Sequence, residues 1–316
     1  MSACSTAHAH VQTASPTTTV ASSTNPSKPC RSELTPGDHD LTMVVGARTR
    51  VLIVHVPTML APDDERPLVV DMHGSGSTAA QQEVVSGMNT AADADGFVVV
   101  YPQAIIRSGS GFLWNIPGVP LIGDRATPAH AADDIAFIEA MVAKLHTLAC
   151  IDLSRVYATG LSGGARMSSQ LACDASTTFA AIAPVSGLRL PAPCPATRAV
   201  PVIAFHGTAD PVDPYEGNGQ AYWTYSVPVA AQRWSAHDGC AATPKTAQPV
   251  AGVTLTDYTG CRDGATVELY TLEGEGHEWP GGPTLPTSVT RLLGPQSNAV
   301  NADNLMWAFF AAHPMP

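Results

Sequence analysis

Apolar segments of strand length recur through most of this chain, and they constrain its fold more than any other feature. Six of them are nearly continuous in apolar residues and are bounded by glycine or proline, which is typical of strands buried on both faces of a sheet. A seventh, residues 49–57, alternates polar and apolar side chains. The six continuous segments are residues 67–74, 96–102, 155–160, 179–187, 200–207 and 267–272.

Helical patterns lie between these segments. In residues 133–148, apolar side chains from Ile135 to Leu145 recur at helical spacing, and Asp133 and Asp134 stand at the positively polarised N-terminal end. Residues 301–313 predict a further helix at the end of the chain. Alternation of strands and helices predicts the α/β class: a single domain with a mostly parallel central sheet flanked by helices.

The charge balance excludes several kinds of partner. The 316 residues include 16 Lys and Arg against 27 Asp and Glu, a formal net charge of −11, so no basic stripe is available to neutralise phosphates. We therefore expect no nucleic-acid partner. The apolar runs are much shorter than the roughly 20 residues of a membrane-spanning helix, and we expect none. Nothing in the sequence calls for a cofactor.

Seven cysteines are spread along the chain: Cys4, Cys30, Cys150, Cys173, Cys194, Cys240 and Cys261. None has the close spacing of a zinc site or a redox motif, so we expect no metal and favour disulfides formed outside the cytoplasm. Cys240 and Cys261 bracket a segment rich in turn and strand formers, and we predict that they pair. The sequence leaves the other pairings open.

Residues 1–29 differ from the rest of the chain. Twelve of them are Ser or Thr and only Lys28 is charged, which predicts a disordered linker before a catalytic domain at residues 30–316. The segment begins Met-Ser-Ala-Cys, which resembles the end of a bacterial lipoprotein signal and makes Cys4 a candidate lipidation site. The hydrophobic stretch of such a signal is missing, so an accidental likeness is the alternative.

Ser162 is the candidate nucleophile. It lies within Gly-Leu-Ser-Gly-Gly, after a strand-like run and before a helix-like one, as the nucleophile elbow of an α/β-hydrolase requires. A GxSxG pattern alone is a weak signal, and an unreactive serine in a glycine-rich turn is the alternative. The context on both sides favours a reactive serine.

A serine hydroxyl needs a base and a residue that orients the base. The sequence supplies Asp210 and then His277, each following a predicted strand, in the chain order of α/β-hydrolases. Asp213 is the competing acid, and Asp210 is preferred because it lies nearer the strand end. His73 and His206 also end strands, and we interpret both as residues that orient loops.

The oxyanion of the tetrahedral intermediate needs two N–H donors. The residue after the nucleophile supplies one, Gly163. A loop after an early strand supplies the other, and the sequence MHGSGST makes the N–H of Ser75 the candidate.

Seven motifs in order, DMHGSGS, YPQA, DDIAFI, RVYATGLSGG, AAIAPVSG, HGTADPVDPY and GHEWPGG, resemble the polyhydroxybutyrate depolymerase and feruloyl esterase family of secreted α/β-hydrolases. The resemblance covers roughly residues 40–313 and implies that Ser162, Asp210 and His277 form the catalytic triad. It also implies a secreted enzyme or an envelope lipoprotein. Gly163 departs from the family pattern, because many relatives carry a larger residue after the serine.

The substrate is the least determined feature. Trp114 and Trp279 are candidates for stacking on an aromatic acyl group, with core packing as the alternative. We predict a secreted serine esterase that acts through an acyl-enzyme on feruloyl (hydroxycinnamoyl) esters of plant cell walls. A depolymerase of short-chain polyhydroxyalkanoates and an acetylxylan esterase are the alternatives. A prediction of another class is a non-catalytic binding protein tethered to the envelope.

Overall fold

The computed structural model describes residues 30–58, 65–122 and 125–316, together with Met1. The rest of the predicted linker, including Cys4, lies outside the described residues. The strands are β1 (Gly37–Val45), β2 (Arg48–Val56), β3 (Arg66–Met72), β4 (Val98–Pro102), β5 (Ile106–Ser108), β6 (Gly111–Leu113), β7 (Ile151–Leu161), β8 (Ala181–Val185), β9 (Val202–Gly207), β10 (Lys245–Val250), β11 (Val253–Tyr258) and β12 (Val267–Leu272). The helices are α1 (Ala79–Ser86), α2 (Asn89–Asp95), α3 (Asp134–Leu148), α4 (Gly163–Asp174), α5 (Val227–His237), α6 (Thr287–Leu293) and α7 (Ala302–Ala312).

Ten strands form one sheet in the order β1-β2-β4-β3-β7-β8-β9-β12-β11-β10. The six central strands, from β4 to β12, run parallel, and two antiparallel strands extend the sheet at each edge. Strands β5 and β6 form a separate ribbon. The predicted fold class, an α/β domain with a mostly parallel central sheet flanked by helices, is confirmed.

Hydrophobic cores lie on both faces of the sheet. Along β3 every residue is buried, and neighbouring side chains enter different cores: Leu68 and Val70 join one cluster and Val69 the other. The first core packs against α3, α4 and α5, and the second against α2 and α7. Burial on both faces explains why these strands read as continuous apolar runs in the sequence.

The start of α3 corrects one detail of the sequence analysis. Asp133 caps the helix as expected, accepting the backbone N–H of Ala136 at 2.9 Å. Asp134 is instead buried and accepts from the guanidinium of Arg50 on β2 at 2.6 Å and from the N–H of Asn115 at 2.8 Å. Asp134 therefore ties the helix to the sheet, and its role is not limited to the helix dipole.

The edge strands were not predicted from the sequence. Residues of β1 alternate between half-buried and exposed, and all six residues of β10 are exposed. Such strands lack the continuous apolar pattern because only one face, or neither, meets a core.

Three disulfides link the chain: Cys30–Cys150, Cys173–Cys194 and Cys240–Cys261. The last is the predicted pair. The first closes a sequence separation of 120 residues and fixes the start of the domain to the turn before β7. Of the helices in the described ranges, none has the length and apolar character that crossing a membrane demands.

Candidate active site

Ser162 lies at a sharp turn between β7 and α4. Its backbone adopts φ 56° and ψ −111°, a conformation that non-glycine residues rarely occupy. A Cβ on Gly160 or on Gly164 would come within 2.4 Å or 1.9 Å of the carbonyl oxygen of Met72 on β3. The two glycines therefore let the strained turn pack against the neighbouring strand, which is the local geometry expected of a nucleophile elbow.

Asp210 and His277 meet at the same edge of the sheet. Each follows the carboxyl end of a strand parallel to β7, Asp210 after β9 and His277 after β12. Nδ1 of His277 lies 2.7 Å from Oδ2 of Asp210, and both side chains are about 95% buried, with 4% and 5% of their surface exposed. The arrangement leaves Nε2 of His277 as the nitrogen that can serve as a base.

Asp210 is held by four contacts. Its Oδ1 accepts the backbone N–H groups of Val212 and Asp213, each at 2.8 Å. Its Oδ2 lies 3.3 Å from Nε2 of His206 as well as contacting His277. Burial alone would raise the pKa of Asp210, but the hydrogen bonds and charges of His206 and His277 outweigh it and hold the pKa far below its usual range. Asp210 is therefore a carboxylate at neutral pH.

The pairing with Asp210 also shifts the pKa of His277. Burial lowers its pKa, but the hydrogen bond and charge of Asp210, together with the charge of Asp213, raise the pKa above its ordinary value. The backbone N–H of His277 donates to the carbonyl of Leu293, so α6 fixes the loop that carries the ring.

Asp213, the competing acid, has a different partner. Its Oδ2 accepts from Nη1 of Arg166 at 2.6 Å, and both side chains are buried. Arg166 lies four residues after Ser162, and its backbone N–H donates to the carbonyl of Ser162 at 3.0 Å. Sequence analysis did not identify Arg166, because no local pattern distinguishes a buried arginine on a helix from an exposed one.

The two remaining histidines hold loops, as interpreted from the sequence. Nε2 of His73 accepts the backbone N–H of Ala104 at 3.1 Å, so Nδ1 carries the proton and donates to the carbonyl of Gly74 at 2.8 Å. Burial lowers the pKa of His73 to about 4 and keeps the ring neutral. His206 donates from Nε2 to the carbonyl of Asp213 at 2.8 Å and thereby shapes the loop that carries Asp210.

Ser75 and Gly163, the residues expected to donate to an oxyanion, are neighbours in space. A Cβ on Gly163 would lie 3.1 Å from the backbone nitrogen of Ser75 and 2.3 Å from its Oγ. The loop after β3 and the first residue of α4 therefore approach so closely that a side chain at 163 would require the Ser75 hydroxyl to move.

A cavity of about 730 Å³ contains both Ser162 and His277 in its wall. Aliphatic side chains form much of the lining, and four of them are strongly exposed at its rim: Val84, Ile122, Val212 and Leu292. Among the described residues that line it there is no Phe, Tyr, Trp, Lys or Arg. The cavity therefore suits an apolar group next to the serine.

Glu278 also lines this cavity and was not identified from the sequence. It is 1% exposed, and neither carboxylate oxygen has a hydrogen-bond partner within the described ranges. Burial raises the pKa of Glu278 to about 7, although the neighbouring His277 lowers it. In the described part of the chain, no group of three or more His, Cys, Asp and Glu residues is arranged to hold a metal ion.

The two candidate tryptophans are buried and lie outside the lining of this cavity. Trp114 is 3% exposed and donates from Nε1 to the carbonyl of His73 at 2.8 Å. Trp279 is fully buried in the second core and donates to Oδ1 of Asp303 at 2.9 Å. This burial favours core packing, the alternative interpretation. Trp114 also borders a small cavity of about 20 Å³ together with Ser75, and stacking of either ring on a substrate stays a prediction.

Known proteins resemble this chain in both sequence and structure. The family model described as Esterase PHB depolymerase matches residues 53–262. NocK of Nocardia uniformis subsp. tsuyamanensis, which is named as an esterase, is 32% identical over 76% of this chain and 73% of its own length. Feruloyl esterase B of Piromyces equi is 30% identical over 72% of this chain, which spans 42% of that longer protein.

Among solved structures, the acetyl xylan esterase from Aspergillus awamori superimposes with a TM-score of 0.60 over 87% of this chain and 99% of its own. At 17% sequence identity this likeness supports the fold alone. The family match covers most of the described sheet and the whole Ser162 turn. The chain therefore belongs to the PHB depolymerase family of esterases.

Proposed function

We propose that the protein is a serine esterase in which Ser162, His277 and Asp210 form the triad. Ser162 Oγ attacks the ester carbonyl while Nε2 of His277 takes its proton, and His277 then gives that proton to the leaving alcohol. Water, activated by the same histidine, hydrolyses the acyl-enzyme and restores the serine. Asp210 orients the ring of His277 and stabilises its protonated form.

One observation carries this proposal. The Asp210–His277 contact of 2.7 Å forms between residues 67 positions apart, at the sheet edge where the strained Ser162 turn also lies. Ser162 and His277 then line one cavity. An incidental surface serine would have neither the strained backbone nor a buried base beside it.

We propose the N–H groups of Ser75 and Gly163 as the oxyanion donors. The 3.1 Å approach between the Gly163 Cβ position and the Ser75 nitrogen supports it, because both backbones then border the space above Ser162. The donors are part of the backbone and need no reorganisation when charge develops.

For the substrate we propose first a hydroxycinnamoyl ester of the feruloyl type. A volume of about 730 Å³ has room for a feruloyl group, and a relative 30% identical is named a feruloyl esterase. The cavity offers aliphatic walls to the ring in place of the aromatic stacking expected from the sequence. An acetyl group would fill little of this volume, which disfavours an acetylxylan esterase.

An aliphatic polyester is the second candidate, favoured by the rim of the cavity. Val84, Ile122, Val212 and Leu292 present exposed aliphatic surface around the entrance, with Leu292 74% exposed. Such a rim suits contact with a hydrophobic chain that continues beyond the scissile ester.

Secretion is supported by the three disulfides, because such bridges persist in oxidising compartments. We retain the proposal of a linker at residues 1–29 and a catalytic domain at residues 30–316. Attachment to the envelope through a lipid on Cys4 is tested by mass spectrometry of the protein recovered from its native host. An unmodified Cys4 there would end the lipoprotein proposal.

The first experiment compares wild type and Ser162→Ala on methyl ferulate, 4-nitrophenyl acetate and a film of short-chain polyhydroxybutyrate. We expect Ser162→Ala to fold and to lose activity on every ester by a factor of about 10⁴ or more. Ser77→Ala is the matched control, since Ser77 lines the same cavity and, within the described part of the chain, its hydroxyl donates to Gln81 alone.

The substrate follows from the pattern of wild-type rates. A preference for methyl ferulate supports the first candidate, and clearing of the film with slow ferulate hydrolysis supports the second. Activity that survives in Ser162→Ala would overturn the serine mechanism. No turnover of any ester by wild type would favour the non-catalytic binding protein.

A further inference from the structure

A second cavity, of about 260 Å³, lies beyond Arg166 and is rich in arginine. Arg166, Arg189 and Arg233 line it together with Tyr222 and Tyr225. No Asp or Glu is among the described residues of its wall. We call it the arginine cavity. In a chain with a formal net charge of −11, three guanidinium groups around one space form an unusual concentration of positive charge.

Two of these guanidinium groups face the same ring. The Arg189 guanidinium lies 4.3 Å from the centre of the Tyr225 ring, and the Arg233 guanidinium lies 3.9 Å from it. Arg166 already has its carboxylate in Asp213. Within residues 30–58, 65–122 and 125–316, neither Arg189 nor Arg233 forms an ion pair.

Arg189 is positioned and yet incompletely bonded. Its Nη1 donates to the carbonyl of Tyr222 at 2.7 Å, and Nη2 lies 3.4 Å from the hydroxyl of Thr224. Its Nε is buried and has no acceptor among the described atoms. A buried donor without an acceptor is costly, so the site favours an acceptor that arrives from outside the chain.

A small cavity of about 20 Å³ lies beside both the catalytic cavity and the arginine cavity. It shares Ser75 and Ile122 with the catalytic cavity. It shares Arg166 and Tyr222 with the arginine cavity. Its volume corresponds to about one or two water molecules, so an unbranched chain fits it better than a bulky group.

We propose that the arginine cavity is a subsite for a carboxylate carried by the ester substrate, bound by Arg189 and Arg233 while the scissile ester lies at Ser162. This proposal rests on the proposed function and names the class of substrate: an anionic ester with an unbranched segment between the ester and the carboxylate. A planar guanidinium matches a carboxylate through paired hydrogen bonds. The two guanidinium groups would compensate the negative charge of the substrate, although the protein as a whole, with its formal net charge of −11, repels anions.

The carboxylate can belong to either side of the ester, and two matched substrate pairs distinguish the sides. On the acyl side, the 4-nitrophenyl monoester of suberic acid is compared with 4-nitrophenyl octanoate. On the alcohol side, 6-(octanoyloxy)hexanoate is compared with 6-(octanoyloxy)hexanamide. A lower KM for the anionic member of either pair supports the proposal and identifies the side. No anionic preference in either pair overturns it.

Arg233→Gln is the test variant, because Arg233 is exposed and its removal leaves the core intact. We expect KM for the preferred anionic ester to rise about tenfold, with kcat and the neutral member of the pair unchanged. Arg107→Gln is the matched control, since Arg107 is an exposed arginine over an aromatic ring, Phe112, and lies outside the lining of all three cavities. Equal changes for the anionic and neutral esters would overturn the proposal.

Calorimetry with adipate, a dicarboxylate that is not an ester, separates this proposal from the catalytic one. Wild type and Ser162→Ala are both expected to bind adipate, and Arg233→Gln is expected to bind it more weakly. Absence of adipate binding, or tighter binding of inorganic phosphate, would overturn the carboxylate subsite and leave the serine mechanism standing. Hydrolysis retained by Ser162→Ala would overturn the serine mechanism and leave the adipate result to decide the subsite.

Discussion

The catalytic cavity and the arginine cavity lie on either side of the start of α4 and have opposite chemistry. The start of α4 supplies Ser162 to one and Arg166 to the other. The catalytic cavity is aliphatic apart from a few polar groups, and the arginine cavity carries three guanidinium groups and two tyrosine rings. Arg166 lines the arginine cavity and the small cavity beside it, and it pairs with Asp213.

The difference separates the proposed reaction site from the proposed recognition site. Ser162, Asp210 and His277 each follow a parallel strand, so the sheet itself brings them to one edge. Residues of the arginine cavity come instead from helices α4 and α5 and from connections, chiefly those between β8 and β9 and between β9 and α5. Rigid strand ends suit a reaction that needs fixed distances, and connections suit a substrate preference that differs among related enzymes.

Asp210→Asn should have the largest effect on the catalytic side. The amide cannot stabilise a protonated His277 or hold its productive tautomer, so kcat is expected to fall by about 10⁴ on neutral and anionic esters alike. Steady-state kinetics on 4-nitrophenyl octanoate measures it.

Asp213→Asn is the control for that change. Asp213 lies three residues after Asp210, and the substitution removes the carboxylate that pairs with Arg166. It should lower thermal stability by breaking a buried ion pair and leave most of kcat on the neutral ester. A larger loss of kcat in Asp213→Asn than in Asp210→Asn would reverse the assignment of the triad acid.

Gly163→Ala should reduce kcat by about 10², because the new methyl group displaces one oxyanion donor from the other. The atom nearest to the added Cβ is Ser75 Oγ at 2.3 Å. Ser75→Ala combined with Gly163→Ala should therefore recover part of the loss, whereas Ser75→Ala alone keeps the N–H and most of the activity. A double variant no faster than Gly163→Ala would show that the side-chain contact is not the cause.

In the pH profile of kcat/KM, the decrease toward acidic pH should begin at a higher pH than an ordinary histidine would give. His277 acts as a base only when neutral, and Asp210 and Asp213 raise its pKa against the effects of burial and of Arg166. The value of kcat/KM is therefore expected to be full at high pH and to fall about tenfold per unit below a pKa above the ordinary 6.5.

Glu278 faces the same cavity, and burial raises its pKa to about 7, so its titration must be distinguished from that of His277. Glu278→Gln separates the two groups: the decrease toward acidic pH should persist in this variant if His277 causes it. A decrease that disappears in Glu278→Gln would assign the titration to the glutamate.

The smallest expected effect comes from removing the disulfide Cys173–Cys194, which should affect the arginine cavity more than the catalytic cavity. Cys173–Cys194 joins α4 to the connection after β8, which also contains Arg189. The two cysteines are 21 residues apart in sequence. Replacing both cysteines by alanine should lower the free energy of unfolding by about 3 kcal/mol. It should also raise KM for the anionic ester by about threefold, with the neutral ester little changed.

The Cys240–Cys261 bridge closes the same separation of 21 residues and serves as the control. Its removal should cost similar stability without changing the substrate preference. Thermal denaturation and KM ratios measure both effects, and an equal shift in KM ratio for the two double variants would contradict a local role for Cys173–Cys194.

Local patterns predicted the elements that are buried on both faces. Residues 267–272 coincide with β12, and residues 301–313 contain α7 with one extra residue at each end. The hairpin strands β10 and β11 and the helices α1, α2, α5 and α6 were not identified. In α6 no residue is buried, so no apolar stripe marks it, even though it lines the catalytic cavity.

The sequence by itself determined the α/β class, the glycine-flanked turn at Ser162 and the order of the candidate acid and base. These features depend on short-range periodicity and on the rule that parallel strands end at one edge. Only the tertiary structure decided that Asp210 contacts His277 while Asp213 pairs with Arg166, that Trp114 and Trp279 are buried, and how the four other disulfide cysteines pair. Each of these depends on contacts between residues distant in the chain, whose packing no local pattern specifies.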